Sequence, residues 1–174
     1  MSRARSTWKM FENAISSSIE IAAPPAKVRV KFLDFESLPK YHKNGAFVSL
    51  GLRTPGQALE KGVVMKNVLK GGTFHPVVTE NSPQQFSWLG SVPGIFSGEH
   101  FFRFEDSQVS EGETTFVHGE RFSGLLGWMA GTGWVASKLG SQEGIRKGVE
   151  EIDRFNRDLK GWVERDGEGE DERQ

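Results

Sequence analysis

The sequence predicts an α+β domain in which an antiparallel sheet lies against one long C-terminal helix. Three observations predict it. Residues 98–104 and 114–122 alternate large apolar side chains with polar ones, as half-buried strands do. Near the end of the chain, Ile145, Val149, Ile152, Phe155, Leu159 and Trp162 recur at three- and four-residue steps, the period of an amphipathic helix. Strand and helix patterns come in separate blocks without a repeat or interdomain linker, which is the order of segregated α and β parts.

Taken in order, residues 14–22 place Ile15, Ser17, Ile19 and Ile21 on one parity and read as a strand. Pro24 and Pro25 end it and open a helix, because proline suits a first helical turn; Val28, Phe32 and Phe35 carry that helix over residues 26–35. Residues 35–42 read as a second short helix or turn. Residues 46–52 are β-rich and close at Pro55-Gly56. Residues 62–69 alternate apolar residues on both parities, and Gly71-Gly72 turns the chain. Residues 74–80 and 85–89 flank Asn81-Ser82-Pro83 as a hairpin. Residues 97–105 and 113–122 form the next hairpin. With its centre near Val109, His100 falls opposite His118, and a one-residue slip would turn every side chain to the other face. The total is about seven strands.

The terminal helix carries Arg146, Lys147, Glu150, Glu151 and Asp158 on its polar face. Gly140, Gly144 and Gly148 fall four apart, and each glycine costs a helix roughly 1 kcal/mol against alanine. Two accounts stand: the helix approaches something closely along that stripe, or it begins only after Gly144.

The length, 174 residues, fits one domain able to bury roughly 70% of its unfolded surface. Thirteen Phe and five Trp against one Tyr supply either a Phe-rich core or an apolar pocket wall. Net charge is −1, yet residues 164–173 hold six acids and two bases, so the remainder carries 20 bases against 17 acids, or +3. That is too weak for a nucleic-acid footprint. We divide the chain into an N-terminal extension, 1–12, a folded domain, 13–163, and an acidic disordered tail, 164–174. The extension's Trp8, Met10 and Phe11 pack on the domain, stay mobile or touch a membrane surface. The absence of cysteine excludes disulfides, thiolate metal sites and cysteine nucleophiles. The first ten residues lack the apolar stretch of a secretory signal, and no run of about 18 apolar residues exists, so a cytoplasmic location is expected.

Five stretches in this order carry a resemblance. They are Ser-Ile-Glu-Ile-Ala-Ala-Pro-Pro-Ala-Lys-Val at 18–28, Asp-Phe-Glu-Ser-Leu-Pro-Lys-Tyr at 34–41, His-Phe-Phe-Arg-Phe at 100–104, Gly-Glu-Thr-Thr-Phe-Val-His at 112–118 and Glu-Arg-Phe-Ser-Gly-Leu-Leu at 120–126. Together they resemble the START-related superfamily often called SRPBCC, which takes in polyketide cyclases/dehydrases, quinone-binding carriers and birch-pollen-type allergens. The resemblance spans residues 15–162. It implies a helix-grip: a strongly curved antiparallel sheet wrapped round the C-terminal helix, with a deep apolar cavity between them. The glycine-rich segment 124–144 departs from the family in length, and there the family has its cavity mouth.

On that fold the expected lining is Tyr41, His75, Phe86, Trp88, His100, Phe102, Phe116, His118, Glu120 and Phe122. Four readings compete. In a ligand-binding protein without chemistry, the aromatic walls give area and His75 and His42 are hydrogen-bonded structural residues. In a cyclase or dehydratase, the cavity folds a flexible chain, His100 and His118 shuttle protons near neutral pH, and Glu120 tunes His118 or acts as base if burial raises its pKa. A metal site of His100, His118 and Glu120 fits by residue type, but the family generally works without metal. A co-chaperone-like partner module would use an exposed surface instead.

No Gly-x-Ser-x-Gly elbow or phosphate-binding loop is present. The expectation is therefore a monomer or homodimer that binds a hydrophobic, polyketide-like or polycyclic small molecule. It uses no cofactor, metal or nucleic acid. Cyclisation or dehydration is the favoured chemistry and a lipid or quinone carrier the main alternative.

Overall fold

A computed structural model describes residues 7–11, 14–92, 96–123 and 142–171. The expectations for residues 124–141 lie outside them. In chain order the elements are β1 (Thr7–Phe11), β2 (Ala14–Ile21), α1 (Pro25–Leu33), a 3-10 turn (Phe35–Ser37), α2 (Leu38–Tyr41), β3 (Phe47–Ser49), β4 (Asn67–Leu69), β5 (Gly72–Phe74), β6 (Val77–Asn81), β7 (Gln85–Val92), β8 (Phe96–Asp106), β9 (Thr114–Ser123) and α3 (Gln142–Asp171). The α+β architecture, a curved antiparallel sheet against a long terminal helix, is the expected one.

The sheet is divided. Six strands run in the order β1-β2-β9-β8-β7-β6, and β3-β4-β5 form a separate three-stranded sheet. A single antiparallel bridge, Val64 to Val77, joins the smaller sheet's approach to the larger. Residues 62–69, expected as one strand, pair as a strand only from Asn67. Pro76 interrupts the expected strand 74–80, because proline has no N–H to give a ladder; β5 stops at Phe74 and β6 starts at Val77.

The N-terminal extension holds a strand the sequence reading did not contain. β1 pairs antiparallel with β2, from Thr7 opposite Ser18 to Phe11 opposite Ala14. Thr7, Trp8, Lys9 and Met10 do alternate polar and apolar, but four residues are too short a run to read as a strand.

Pro25 sits in the first turn of α1 behind an extended Pro24, and Asp34 ends the helix. The Asp34 carboxylate accepts from the Ser37 N–H at 3.3 Å and starts the 3-10 turn. The chain thus reverses and carries α2 back toward α3.

α3 meets the sheet through both kinds of contact. Ile152, Phe155, Leu159 and Val163 are buried on its apolar stripe. Beside them runs a polar seam facing β2: Ser17 Oγ donates to Asp153, Asn156 Nδ2 donates to the Ser17 carbonyl at 3.5 Å, and Lys160 Nζ donates to the Glu20 carbonyl at 2.7 Å. The Ala22 N–H then donates to Glu164 Oε1 at 2.9 Å. Helical structure continues through Asp171, into the segment expected to be disordered. Elongating an existing helix is cheap, and Glu is a good helix former, so acidic composition did not stop it. Helix begins at Gln142, before Gly144, and an added Cβ on Gly148 would lie 3.5 Å from Ile15 Cδ1. The stripe therefore does approach the sheet at Gly148, at ordinary contact distance.

Among the described residues no helix is long and apolar enough to cross a membrane.

Candidate functional site

The β8–β9 hairpin carries the candidate site. Its inward parity is the expected one, but its register differs: Phe102 lies opposite His118 and His100 opposite Glu120. The pairing is two residues from the one centred at Val109, which leaves every side chain on its expected face. The Ser107–Gly112 connection accounts for the shift. Ser107 Oγ accepts from the Val109 and Ser110 N–H groups, and Gly112 takes φ +77°, so the turn closes one residue later than symmetry suggests.

The ten expected lining residues separate into three groups. Phe86, Phe102 and Phe116 are fully buried, and Phe32 of α1 stands among them at ring-centroid distances of 5.8, 4.5 and 6.1 Å. Phe155 of α3 packs on both Phe102 and Phe32, at 5.9 and 6.2 Å. These rings fill the space they share, so this half of the expected cavity is core. Phe32 docks the nine-residue α1 together with the buried Val28, and truncating such a ring typically costs about 3–5 kcal/mol. Tyr41 belongs with this core. It stacks on Trp162 at 5.7 Å and meets Phe155 edge-on, and burial first, then the charges of Asp34 and Asp158, push its phenol up.

His75 is a correction. It is exposed, in the two-residue break before β6, on the same parity as the exposed Val77; Val78, opposite Trp88, takes the inward face. Phe122 pairs through its backbone with Gly98, and its side chain lies outside the described residues. His42 is the hydrogen-bonded structural histidine of the ligand-binding reading: Nδ1 is 2.8 Å from Asp158 Oδ2.

Trp88, His100, His118 and Glu120 remain together. Trp88 of β7 stacks on His100 at 5.5 Å, and Phe47 of β3 meets the same imidazole edge-on at 5.6 Å. His100 Nε2 is 2.8 Å from His118 Nε2. His118 stacks on Phe102 at 4.5 Å, and its Nδ1 is 3.1 Å from Asn156 Oδ1. At the other end, His100 Nδ1 is 3.9 Å from Glu120 Oε2. The outer two members keep an opening: the side chains of His100 and Glu120 are 16% and 28% exposed, against 1% for the whole of His118.

Burial sets the protonation. It lowers the His100 pKa to about 4 and raises that of Glu120 to about 7. His118 is held well below the usual histidine range by burial, then by His100; its bond to Asn156 acts the other way and does not win. Burial thus moves the imidazoles away from neutral pH, where the sequence reading places their titration. Both stay neutral, and the group that changes charge there is the carboxyl. Among the described residues no three His, Cys, Asp or Glu side chains are grouped to hold a metal ion, and the two Nε2 atoms face each other rather than a shared point.

Phe47 and Asn156 were missed. Phe47 comes from the smaller sheet, which only tertiary packing brings over His100. Asn156 had a signal: it is a polar residue on the apolar stripe, between Phe155 and Leu159.

No curated protein matches the chain. Solved structures do. The aromatase/cyclase Zhui from Streptomyces sp. R1128 has a TM-score of 0.60 at 16% identity over 87% of this chain and 93% of that one. Ara h 8.0201 gives 0.58 at 12% identity over 86% and 96%. Protein Ms6760 from Mycobacterium smegmatis gives 0.58 at 13% identity over 91% and 98%. At such identities the likeness is one of fold. The sequence match goes further and covers residues 13–160, from β2 into α3: the chain belongs to the polyketide cyclase/dehydrase and lipid transport family.

Proposed function

We propose that this chain binds a hydrophobic, polyketide-like or polycyclic small molecule at the Trp88–His100–Glu120 end of the grip and promotes its dehydration or cyclisation, with Glu120 as the proton carrier. The observation that carries this reading is the 3.9 Å gap between His100 Nδ1 and Glu120 Oε2. A ligand hydroxyl oxygen about 2.8 Å from each, a normal hydrogen-bond length, would donate to His100 Nδ1 and accept from Glu120 in its protonated form. An aromatic wall beside a few polar groups is the usual make-up of a small-molecule site.

The pKa of about 7 suits Glu120 to both halves of such a reaction. As carboxylate it takes the proton from the carbon next to a ligand carbonyl. As the acid so formed, it returns that proton to the departing β-hydroxyl, which leaves as water. A carbon–hydrogen and a carbon–oxygen bond break, a carbon–carbon double bond forms, and Glu120 ends as it began. Neutral His100 accepts the hydroxyl proton in a hydrogen bond and holds that oxygen in place. Family membership and the fold shared with an aromatase/cyclase support this reading.

The test is incubation with a linear β-hydroxy ketone bearing an apolar tail, followed by mass spectrometry. Product one water lighter is expected, with Glu120→Gln slowing its formation about 10²-fold or more. An unchanged rate in the folded variant removes Glu120 from the chemistry. Binding of the probe without any change in its mass would favour the carrier reading instead.

A further inference from the structure

His100 is held from outside the sheet, through His118 and α3. Asn156 is 1% exposed. Its amide has two ends and two fixed neighbours. The Ser17 carbonyl, 3.5 Å away, can only accept, so the end facing it is Nδ2. That leaves Oδ1 toward His118 Nδ1 at 3.1 Å. The reverse orientation would set two acceptor oxygens against each other in a buried place, where an unmade hydrogen bond costs about 1–3 kcal/mol. The backbone of Ser17 is held independently, because Ser17 is the cross-strand partner of His118 and its hydroxyl bonds Asp153 one turn earlier on α3.

From this we infer that Asn156 is a positioning residue that sets the tautomer of His100 through His118. An oxygen at His118 Nδ1 demands a proton there. Neutral His118 then has a bare Nε2, which accepts across the 2.8 Å gap, so His100 donates from its own Nε2. His100 Nδ1 is thereby left without a proton, as an acceptor aimed toward Glu120 and the opening. Two hydrogen bonds thus transmit the choice made by a buried amide, itself fixed by a third to the Ser17 carbonyl, to an atom on the site's surface. The tautomer follows from this geometry with both rings neutral; its meaning for a bound hydroxyl rests on the function proposed above.

The test is long-range proton–nitrogen NMR of the full chain labelled with nitrogen-15, at pH 7 and without ligand. Wild type should show pyrrole-type Nδ1 and pyridine-type Nε2 for His118, and the opposite pattern for His100. Asn156→Asp keeps an acceptor at that position and should keep the pattern. Asn156→Leu should lose it, with His118 moving toward the Nε2-protonated form. A protonated Nδ1 on His100 in wild type overturns the inference whether or not the variants fold. So does an unchanged pattern in Asn156→Leu with the amide fingerprint intact. Loss of the pattern in both variants would also overturn it, because a merely space-filling role predicts that result. Failure of the dehydration assay leaves all these readouts untouched.

Discussion

His100 Nε2 lies 2.8 Å from His118 Nε2, although neither residue is the other's partner across the β8–β9 ladder. The contact is a diagonal one. His118 faces Phe102 directly, and His100 is two residues further along on the same face, within reach of long or ring side chains. With the two Nε2 atoms facing each other, the second nitrogen of His100 is left to its cross-strand partner Glu120 and that of His118 to Asn156 of α3. Partners directly opposite would have shared one level of the sheet.

Glu120 makes the fold sensitive to alkali. Its folded pKa, about 7, lies above the ordinary 4.5. The folded state therefore binds the extra proton between those values, and the stability from the neutral carboxyl is full below pH 4.5 and lost as pH rises through 7. A shift of this size corresponds to on the order of 3 kcal/mol. Glu120→Gln should be more stable than wild type by up to about that amount at pH 8 and nearly equal to it at pH 4.5. Urea denaturation at the two pH values checks this; equal midpoint differences at both would refute it.

The histidines act in the opposite direction. His100 is lowered from 6.5 to about 4 and His118 is lowered as well, so the unfolded chain binds more protons below pH 6.5. Their contribution is present above pH 6.5 and is lost as pH falls toward 4. The double variant His100→Phe/His118→Phe should flatten the acid limb of the stability profile between those values. A limb as steep as in wild type would assign acid sensitivity to other groups.

Two glycines near Ile15 should respond oppositely to alanine. A Cβ on Gly119 would come 2.6 Å from the Ile15 carbonyl oxygen and 2.6 Å from Phe101, its cross-strand partner on the outer face. Gly119→Ala should destabilise by about 1–3 kcal/mol or more. A Cβ on Gly148 would meet Ile15 Cδ1 at 3.5 Å, and Gly148→Ala should stabilise by up to about 1 kcal/mol through helix propensity. Thermal melts of both variants decide it, and a stabilised Gly119→Ala would contradict the close fit of β9 on β2.

Ending the chain at Arg165 should change stability by less than about 1 kcal/mol. It keeps Glu164, whose carboxylate bonds the Ala22 N–H and Lys160, and removes mainly charged residues from the end of α3. A fall in melting temperature beyond about 4 °C would mean that the last turns of the helix are docked.

The residue pattern alone determined the α+β class, the antiparallel strands, the long amphipathic helix and the inward parity of His100, His118 and Glu120. These are properties of short periods, two for a strand and 3.6 for a helix, which any window of the chain displays. What only the tertiary structure decided depends on distances between elements far apart in sequence. Phe32 turned half of the expected cavity into core, the pairing of Val78 with Trp88 put the parity of His75 outside, and the closing turn chose Glu120 as the partner of His100. Burial then moved neutral-pH titration from the imidazoles to the carboxyl. The physical reason is one and the same: packing and desolvation depend on what surrounds a side chain, and its surroundings here come from α1, β3 and α3 rather than from its neighbours in the chain.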